Sequence, residues 1–241
     1  MGINFPAILF RLLDFFSPSC CSNCGTYVRY EDMSLCAKCL SDIKLLSDKC
    51  GKCSGKLTDN YCNTCSNRKF YIERNITIAE YSGVMKEVIR NYKFNKVRRL
   101  YKVLSGLAYK EISQIQDVTD IVTSVPVNRI KKWRRGFNQS ELIAKAIAKR
   151  MKKEYRILLR DTYKFKTQKK LSYKDRFLNI INRYKIINEK YIQGENILII
   201  DDIFTTGATL NECARILLSA GANKVYSLTI AGADIKRLDK L

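Results

Sequence analysis

The sequence predicts an α/β fold, a mostly parallel sheet flanked by helices, preceded by a small cysteine-rich module. Three observations predict it. Strand-like and helix-like stretches alternate beyond residue 70. The run Asn196–Ile200 (NILII) is wholly apolar, as strands covered on both faces are. Eight of the ten cysteines form four Cys-x-x-Cys pairs within the first 65 residues. The chain therefore divides into residues 1–70, an N-terminal amphipathic segment with the cysteine module, and residues 71–241, the α/β domain.

The first segment, Ile3–Phe16, is apolar but is broken by Arg11 and Asp14, so it reads as an amphipathic helix packed on its own protein. A membrane span needs about 20 apolar residues, and no basic region or small-residue cleavage site marks a signal peptide. A cytoplasmic location with no membrane span is expected. The cysteine pairs are Cys21/Cys24, Cys36/Cys39, Cys50/Cys53 and Cys62/Cys65, separated by 11, 10 and 8 residues. Each pair aims two thiolates at one ion, and two pairs complete a tetrahedral zinc site. Disulfides do not suit a cytosolic chain, and no βαβ pattern surrounds a redox pair. The simplest pairing puts the first four cysteines on one zinc and the other four on a second, a double zinc ribbon. An interleaved pairing, or one filled and one degenerate site, is the alternative, with Cys20 as a spare. All-cysteine sites have no open coordination position, so the zinc is structural and supplies folding energy to a module too small to fold unaided.

The α/β elements follow in order. Ile76–Ser82 alternates as a strand, and Gly83 opens a helix carrying Val84, Val88, Ile89 and Tyr92. A second helix runs from Leu100 to Ile112, and Asp120–Val125 is a short strand ended by Pro126. Gln139–Tyr155 reads as a helix with Leu142, Ile143, Ala146 and Ile147 on one face, and residues 160–180 as a polar, basic loop. After Asn196–Ile200 come a helix over Thr209–Leu218, on which Cys213 is a core residue, and a strand over Val225–Ala231.

Composition narrows the chemistry. The chain has no His, which excludes Ser-His-Asp and Cys-His nucleophilic sites and His-ligated metal catalysis. The net charge is +21, and nearly all of it lies in residues 71–190, with 30 basic against 11 acidic groups. Such a field attracts phosphates, on nucleic acid or on a small substrate. Biased composition with lysine as surface filler is the plainer alternative, but the clustered Arg98-Arg99 and Lys131-Lys132-Trp133-Arg134-Arg135 favour bidentate phosphate contacts.

The segment Ile197–Thr209 (ILIIDDIFTTGAT) concentrates the functional signal. A buried strand ends in Asp201 and Asp202, the candidate catalytic pair, and a short loop leads into a helix. Backbone N–H groups of Thr205, Thr206, Gly207, Ala208 and Thr209, with the helix N-terminus, form an anion cradle. Gly207 lets the backbone approach a phosphate, and the carboxylates can take ribose hydroxyls directly or through magnesium. Arg134, Arg135 and Gly136 form a basic loop that is either a mobile clamp on pyrophosphate or DNA, or a solvated run capping the next helix. Lys93 and Arg176, with Lys164, Lys169 and Lys170, are further candidate contacts. Trp133 and Phe137 either stack on bases or, the favoured reading, anchor that loop in the core.

At Asp201-Asp202 and the Thr-Thr-Gly loop the chain resembles the type I phosphoribosyltransferases. The resemblance implies a type I phosphoribosyltransferase-like sheet and a site for 5-phosphoribosyl pyrophosphate (PRPP) with magnesium. The acidic pair would face the ribose hydroxyls and Thr205–Thr209 would hold the 5-phosphate. The order of Cys-x-x-Cys pairs, YSGVMKEVIRNYKF (81–94), SVPVNRIKKWRRGFNQSELIAKAIA (124–148), TQKKLSYKDRFLN (167–179) and ILIIDDIFTTGATLNECARIL (197–217) is similar to the ComF family, the amidophosphoribosyltransferase-like competence proteins. Arg183-Tyr184 departs from the family, which has small residues and Phe there. The resemblance implies uptake and handling of single-stranded DNA in natural transformation, alongside a helicase-like competence partner. Three readings follow: a nucleic-acid-handling protein built on a PRPP-type phosphate site, an active phosphoribosyltransferase with an unassigned acceptor, or a zinc-ribbon adaptor for a helicase-like partner.

Overall fold

In the computed structural model the described residues are 19–28, 34–47, 49–55, 57, 62, 69–162 and 183–232. The expected Ile3–Phe16 helix, Cys65, Arg176, Lys164, Lys169 and Lys170 lie outside them. The module begins with the antiparallel pair β1 (Ser19–Cys20) and β2 (Tyr27–Val28), which closes a tight turn around Cys21 and Cys24. Helix α1 (Ala37–Ser41) starts at Cys36, whose sulfur accepts from the Cys39 amide at 3.4 Å.

The elements that follow are β3 (Arg74–Glu80), α2 (Gly83–Lys93), α3 (Leu100–Glu111), α4 (Ser113–Gln116), β4 (Ile121–Ser124), α5 (Arg129–Arg135), α6 (Gln139–Met151), β5 (Glu154–Tyr155), β6 (Leu159–Asp161), β7 (Tyr184–Ile186), β8 (Asn196–Phe204), α7 (Ala208–Ser219) and β9 (Lys224–Gly232). Five strands form one sheet in the order β3-β9-β8-β4-β5, and every pairing in it is parallel. Strands β6 and β7 form a separate antiparallel pair. Among the described residues no helix is long and apolar enough to cross a membrane.

The apolar run of β8 explains the layering. Leu198 and Ile200 pack with Ile143, Ile147 and Leu104 on one face, and Ile197 and Ile199 with Leu210, Cys213 and Leu217 on the other. All of these except Leu210 are fully buried, each contributing about 1.5–3 kcal/mol if large and apolar. The structure revises three expectations about these elements. Strand β8 continues through Phe204, so it runs on past Asp201 and Asp202 rather than ending at them. Helix α6 stops at Met151 because Lys152 takes a left-handed conformation (φ 56°), and Glu154–Tyr155 becomes the edge strand β5. The buried stripe of α6 is Ile143, Ala144, Ile147, Ala148 and Met151, which leaves Leu142 and Ala146 only half-buried.

The cysteine module covers the free edge of β3. The Leu46 amide donates to Ile78 O at 2.9 Å, the Glu80 amide to Lys44 O at 2.9 Å, and the Asn75 amide to Gly51 O at 2.5 Å. An exposed parallel edge would invite foreign pairing, and the module removes it. Behind this seam lies a buried polar chain. The Asn75 side-chain amide donates to Ser54 Oγ at 2.6 Å and accepts from Ser227 Oγ at 2.8 Å, while Thr77 shares hydrogen bonds with Ser54 (2.5 Å) and Thr229 (2.8 Å). Asn75→Ala removes the acceptor of the buried Ser227 hydroxyl and the bond to Ser54, which costs about 1–3 kcal/mol. Thermal denaturation should show a Tm lower by roughly 2–10 °C; an unchanged Tm would contradict this role for the seam.

Candidate functional site

The site forms where β4 and β8 end and the chain turns into helices. Gly207 initiates α7 at φ 73° and is buried beneath the loop. A Cβ there would come within 2.5 Å of the Phe204 ring, so both conformation and space require glycine. The Thr206 hydroxyl accepts from the Ala208 amide at 3.3 Å, which fixes the loop and uses one of the amides expected in the cradle. Thr205 is exposed and Thr209 lines the cavity below.

That cavity has a volume of about 220 Å³. Its floor carries Asp201 and Asp202, and its walls carry Lys93 from the end of α2, Lys131 and Arg135 from α5, and Arg183 just ahead of β7. Lys93 Nζ sits 2.7 Å from Asp202 Oδ1. Ser140, at the first turn of α6, donates its hydroxyl to Asp201 Oδ1 at 2.9 Å, and the Asp202 amide donates to the same oxygen at 2.8 Å. Although Asp201 is only half-buried as a residue, its carboxyl is turned into the protein. Burial and the adjacent Asp202 push its pKa from the ordinary 3.8 to about 7.

The expected basic loop is a helix. Asn128 caps α5 by accepting from the Ile130 amide at 2.9 Å, and Gly136 ends it in a left-handed turn (φ 80°). Phe137 then enters the core against Tyr92, with ring centroids 5.4 Å apart, and Asn138 caps α6. The Arg-Arg-Gly-Phe-Asn-Gln block is thus a helix–turn–helix corner rather than a free clamp. It points Arg135 inward, where it donates to Gln139 Oε1 at 3.1 Å, and leaves Arg134 outside the cavity lining. Trp133, expected to anchor the corner, is 84% exposed instead; Phe137 does the anchoring.

Lys131, which the sequence offers only within a basic run, and Arg183, which it marks only as a departure from the family pattern, both line the cavity. Arg183 is held by Asp161 through Nε (3.1 Å) and Nη2 (2.6 Å), which aligns it as a fixed fork. Lys131 is solvent-exposed, yet its pKa is pushed down by partial desolvation and by the guanidinium groups of Arg183 and Arg135. Positive charge is concentrated here beyond what the two carboxylates neutralise. Gln139 is 1% exposed, and its Nε2 has no hydrogen-bond partner, so the cavity also presents a dry donor.

The cysteine clusters gather as the sequential pairing expects. The sulfurs of Cys21, Cys24, Cys36 and Cys39 all lie within 4.8 Å of one another, as do those of Cys50, Cys53 and Cys62. A tetrahedral ion with bonds of about 2.3 Å needs sulfurs roughly 3.8 Å apart, and Cys24 and Cys36 are 3.7 Å apart. Amides of Cys36, Lys52 and Gly55 donate to Cys21, Cys50 and Cys53 sulfurs at 3.4 Å, which stabilises thiolate charge. Both clusters could hold a metal ion. Cys20 is exposed and stands outside them, and Cys213 is buried in the core.

Residues 138–241 match the phosphoribosyl transferase domain family. The chain is 28% identical to the DNA utilization protein YhgH of Escherichia coli K12, over 86% of this chain and 94% of that one. It is 25% identical to Competence protein F of Haemophilus influenzae, over 92% and 100% of the two chains. Competence protein ComFC of Streptococcus pneumoniae is 25% identical, over 84% and 90%. Over most of its length the chain is similar to these competence and DNA-utilization proteins, in keeping with its resemblance to the ComF family. Among solved structures it is similar to glutamine PRPP amidotransferase from B. subtilis, with 22% identity, a TM-score of 0.39, and coverage of 54% of this chain and 25% of that one. In this chain the cysteine module, the corner block and the Asp-Asp loop all meet around one sheet.

The raised pKa of Asp201 sets a pH dependence. Between its ordinary 3.8 and about 7, the folded chain keeps a proton that the unfolded chain has released. Stability contributed by the protonated carboxyl is therefore full at the acid end and is lost as pH rises through about 7. In magnesium-free buffer, the Tm of the wild type should fall more across that window than the Tm of Asp201→Asn. Parallel pH profiles of the two would show that Asp201 ionises normally and contradict the assignment.

Proposed function

We propose that the sheet-edge cavity binds PRPP, or a related sugar phosphate, together with magnesium, and that the protein uses this site while handling incoming single-stranded DNA in natural transformation. The observation that carries the reading is one cavity with two carboxylates on its floor and Lys93, Lys131, Arg135 and Arg183 around it. Adjacent carboxylates are hard oxygen donors suited to a ribose diol or to magnesium and its waters. Thr205–Thr209 and the α7 N-terminus would take the 5-phosphate. Arg135, Lys131 and the fixed fork of Arg183 would take the pyrophosphate, and the orphaned Gln139 amide offers one more donor. Magnesium would supply charge neutralisation between the carboxylates and the phosphates. Lys93 must release Asp202 for that exchange, since one carboxylate oxygen faces it at 2.7 Å.

The DNA part of the reading is supported by the relatives named for DNA utilization and competence, by the net charge of +21, and by the exposed Trp133 at the basic corner. We further assign zinc to both cysteine clusters, as a structural ion, and a cytoplasmic setting in which a helicase-like competence protein could dock. A second reading is phosphoribosyl transfer. There the bond from the anomeric carbon to pyrophosphate breaks as the acceptor's bond to that carbon forms, and positioning and charge stabilisation do the work. The acidic pair is intact and shares its cavity with Lys93 and Thr209, which favours keeping this reading beside the first.

A thermal-shift titration with magnesium and PRPP tests the site. Ligand at about 100 times its Kd adds roughly 2.7 kcal/mol, which should raise Tm by about 5–10 °C. Asp202→Asn should remove the shift. No shift at saturating PRPP in the wild type would overturn the PRPP reading.

A further inference from the structure

We propose that the groove between α3 and α6 is a docking site for an acidic amphipathic helix of a partner protein. The groove holds about 720 Å³ and shares no lining residue with the phosphate cavity. Two stripes at helical spacing build it. One side presents Arg98 and Lys102 around Tyr101, at i, i+3 and i+4. The other presents Lys145 and Lys149 around Leu142 and Ala146, at i, i+3, i+4 and i+7. Leu142 and Ala146 are the two apolar residues of α6 that its own core leaves half-buried, and Tyr101 is half-buried opposite them. The result is an apolar floor between two cationic rims, with no acidic residue in the lining.

Charge and shape together select the occupant. Among the described residues, no ion pair engages Arg98, Lys102 or Lys149, while Lys145 meets Glu141 at 2.7 Å at one end of the groove. A helix laid in a groove anchors through apolar side chains at i, i+3 or i+4, and i+7, which matches the spacing of the floor. Carboxylates flanking that stripe would meet a cation on either rim, so the complementarity is both apolar and electrostatic. A single nucleic-acid strand fits less well. It needs successive aromatic faces for its bases, whereas this floor is mainly aliphatic with one tyrosine. The most exposed aromatic side chains among the described residues, Trp133, Phe94 and Tyr27, line neither wall of the groove.

The test is a fluorescence-anisotropy titration of the full chain with three labelled probes. They are a helix-forming peptide of about 14 residues with a leucine stripe flanked by glutamates, its scramble of equal composition, and a thymidine single strand. The proposal expects the amphipathic peptide to bind at least about tenfold more tightly than the scramble. Charge reversal with Lys102→Glu and Lys149→Glu together should weaken it by about tenfold or more. Ala146→Glu, which spoils the floor without altering the rims, should do the same, with the Tm of each variant confirming its fold. Equal binding of peptide and scramble, absence of peptide binding up to about 1 mM, or unchanged affinity in the variants overturns the proposal. A larger loss of thymidine binding than of peptide binding in the variants also overturns it, in favour of a nucleic-acid track. None of these results depends on PRPP, so failure here and failure of the phosphate reading are separable.

Discussion

Two adjacent carboxylates at the end of a buried strand are costly to hold, and the site is arranged around that cost. Isolated like charges at neighbouring positions in a partly dry environment resist joint ionisation. The chain meets this in two ways. Lys93 places an ammonium on Asp202, and Asp201 is set against Ser140 with its pKa raised to about 7. Both solutions require precise placement of elements distant in sequence. Helix α2 must end at the cavity, and α6 must begin there, with the corner at Gly136 joining α5 to α6.

The cysteine module serves the same placement. By covering β3 it fixes the strand that leads into α2, and the Asn91 side chain of that helix donates to Ser22 O in the first cysteine turn. On the other side of the sheet, Asn211 of α7 accepts from the Tyr71 amide at 2.6 Å and donates to Lys69 O at 3.1 Å. The module is in this way coupled to the position of Lys93 and of the Thr-Thr-Gly loop, so it is part of the site's scaffold as well as a cover for the sheet edge.

Most of the scaffold was legible in the sequence because its signals are local. The apolar run of β8, the acidic pair with its Thr-Thr-Gly loop, and the Cys-x-x-Cys turns each declare their structure within a few residues. The parts that were not legible lack such signals. Helix α5 has no buried residue, so no apolar period marks it, and only its caps at Asn128 and Gly136 betray it. The end of α6 falls on Lys152, a residue that rarely takes the left-handed conformation and so gives no stop signal of the glycine kind. Arg183 and Lys131 join the cavity through tertiary packing; the Asp161 partner that orients Arg183 is 22 residues away. Among sequence signals, only the clustering of basic residues around Lys131 pointed in that direction.

The central claim is that the carboxylate floor and the cationic wall act on one ligand. Isothermal titration of the intact protein, with magnesium present, against PRPP, ribose 5-phosphate and pyrophosphate tests it most directly. The account predicts that PRPP binds more tightly than either half and that prior saturation with pyrophosphate weakens PRPP binding. Tight pyrophosphate binding with no gain from the ribose half would contradict it, because the acidic pair would then have no part in the site.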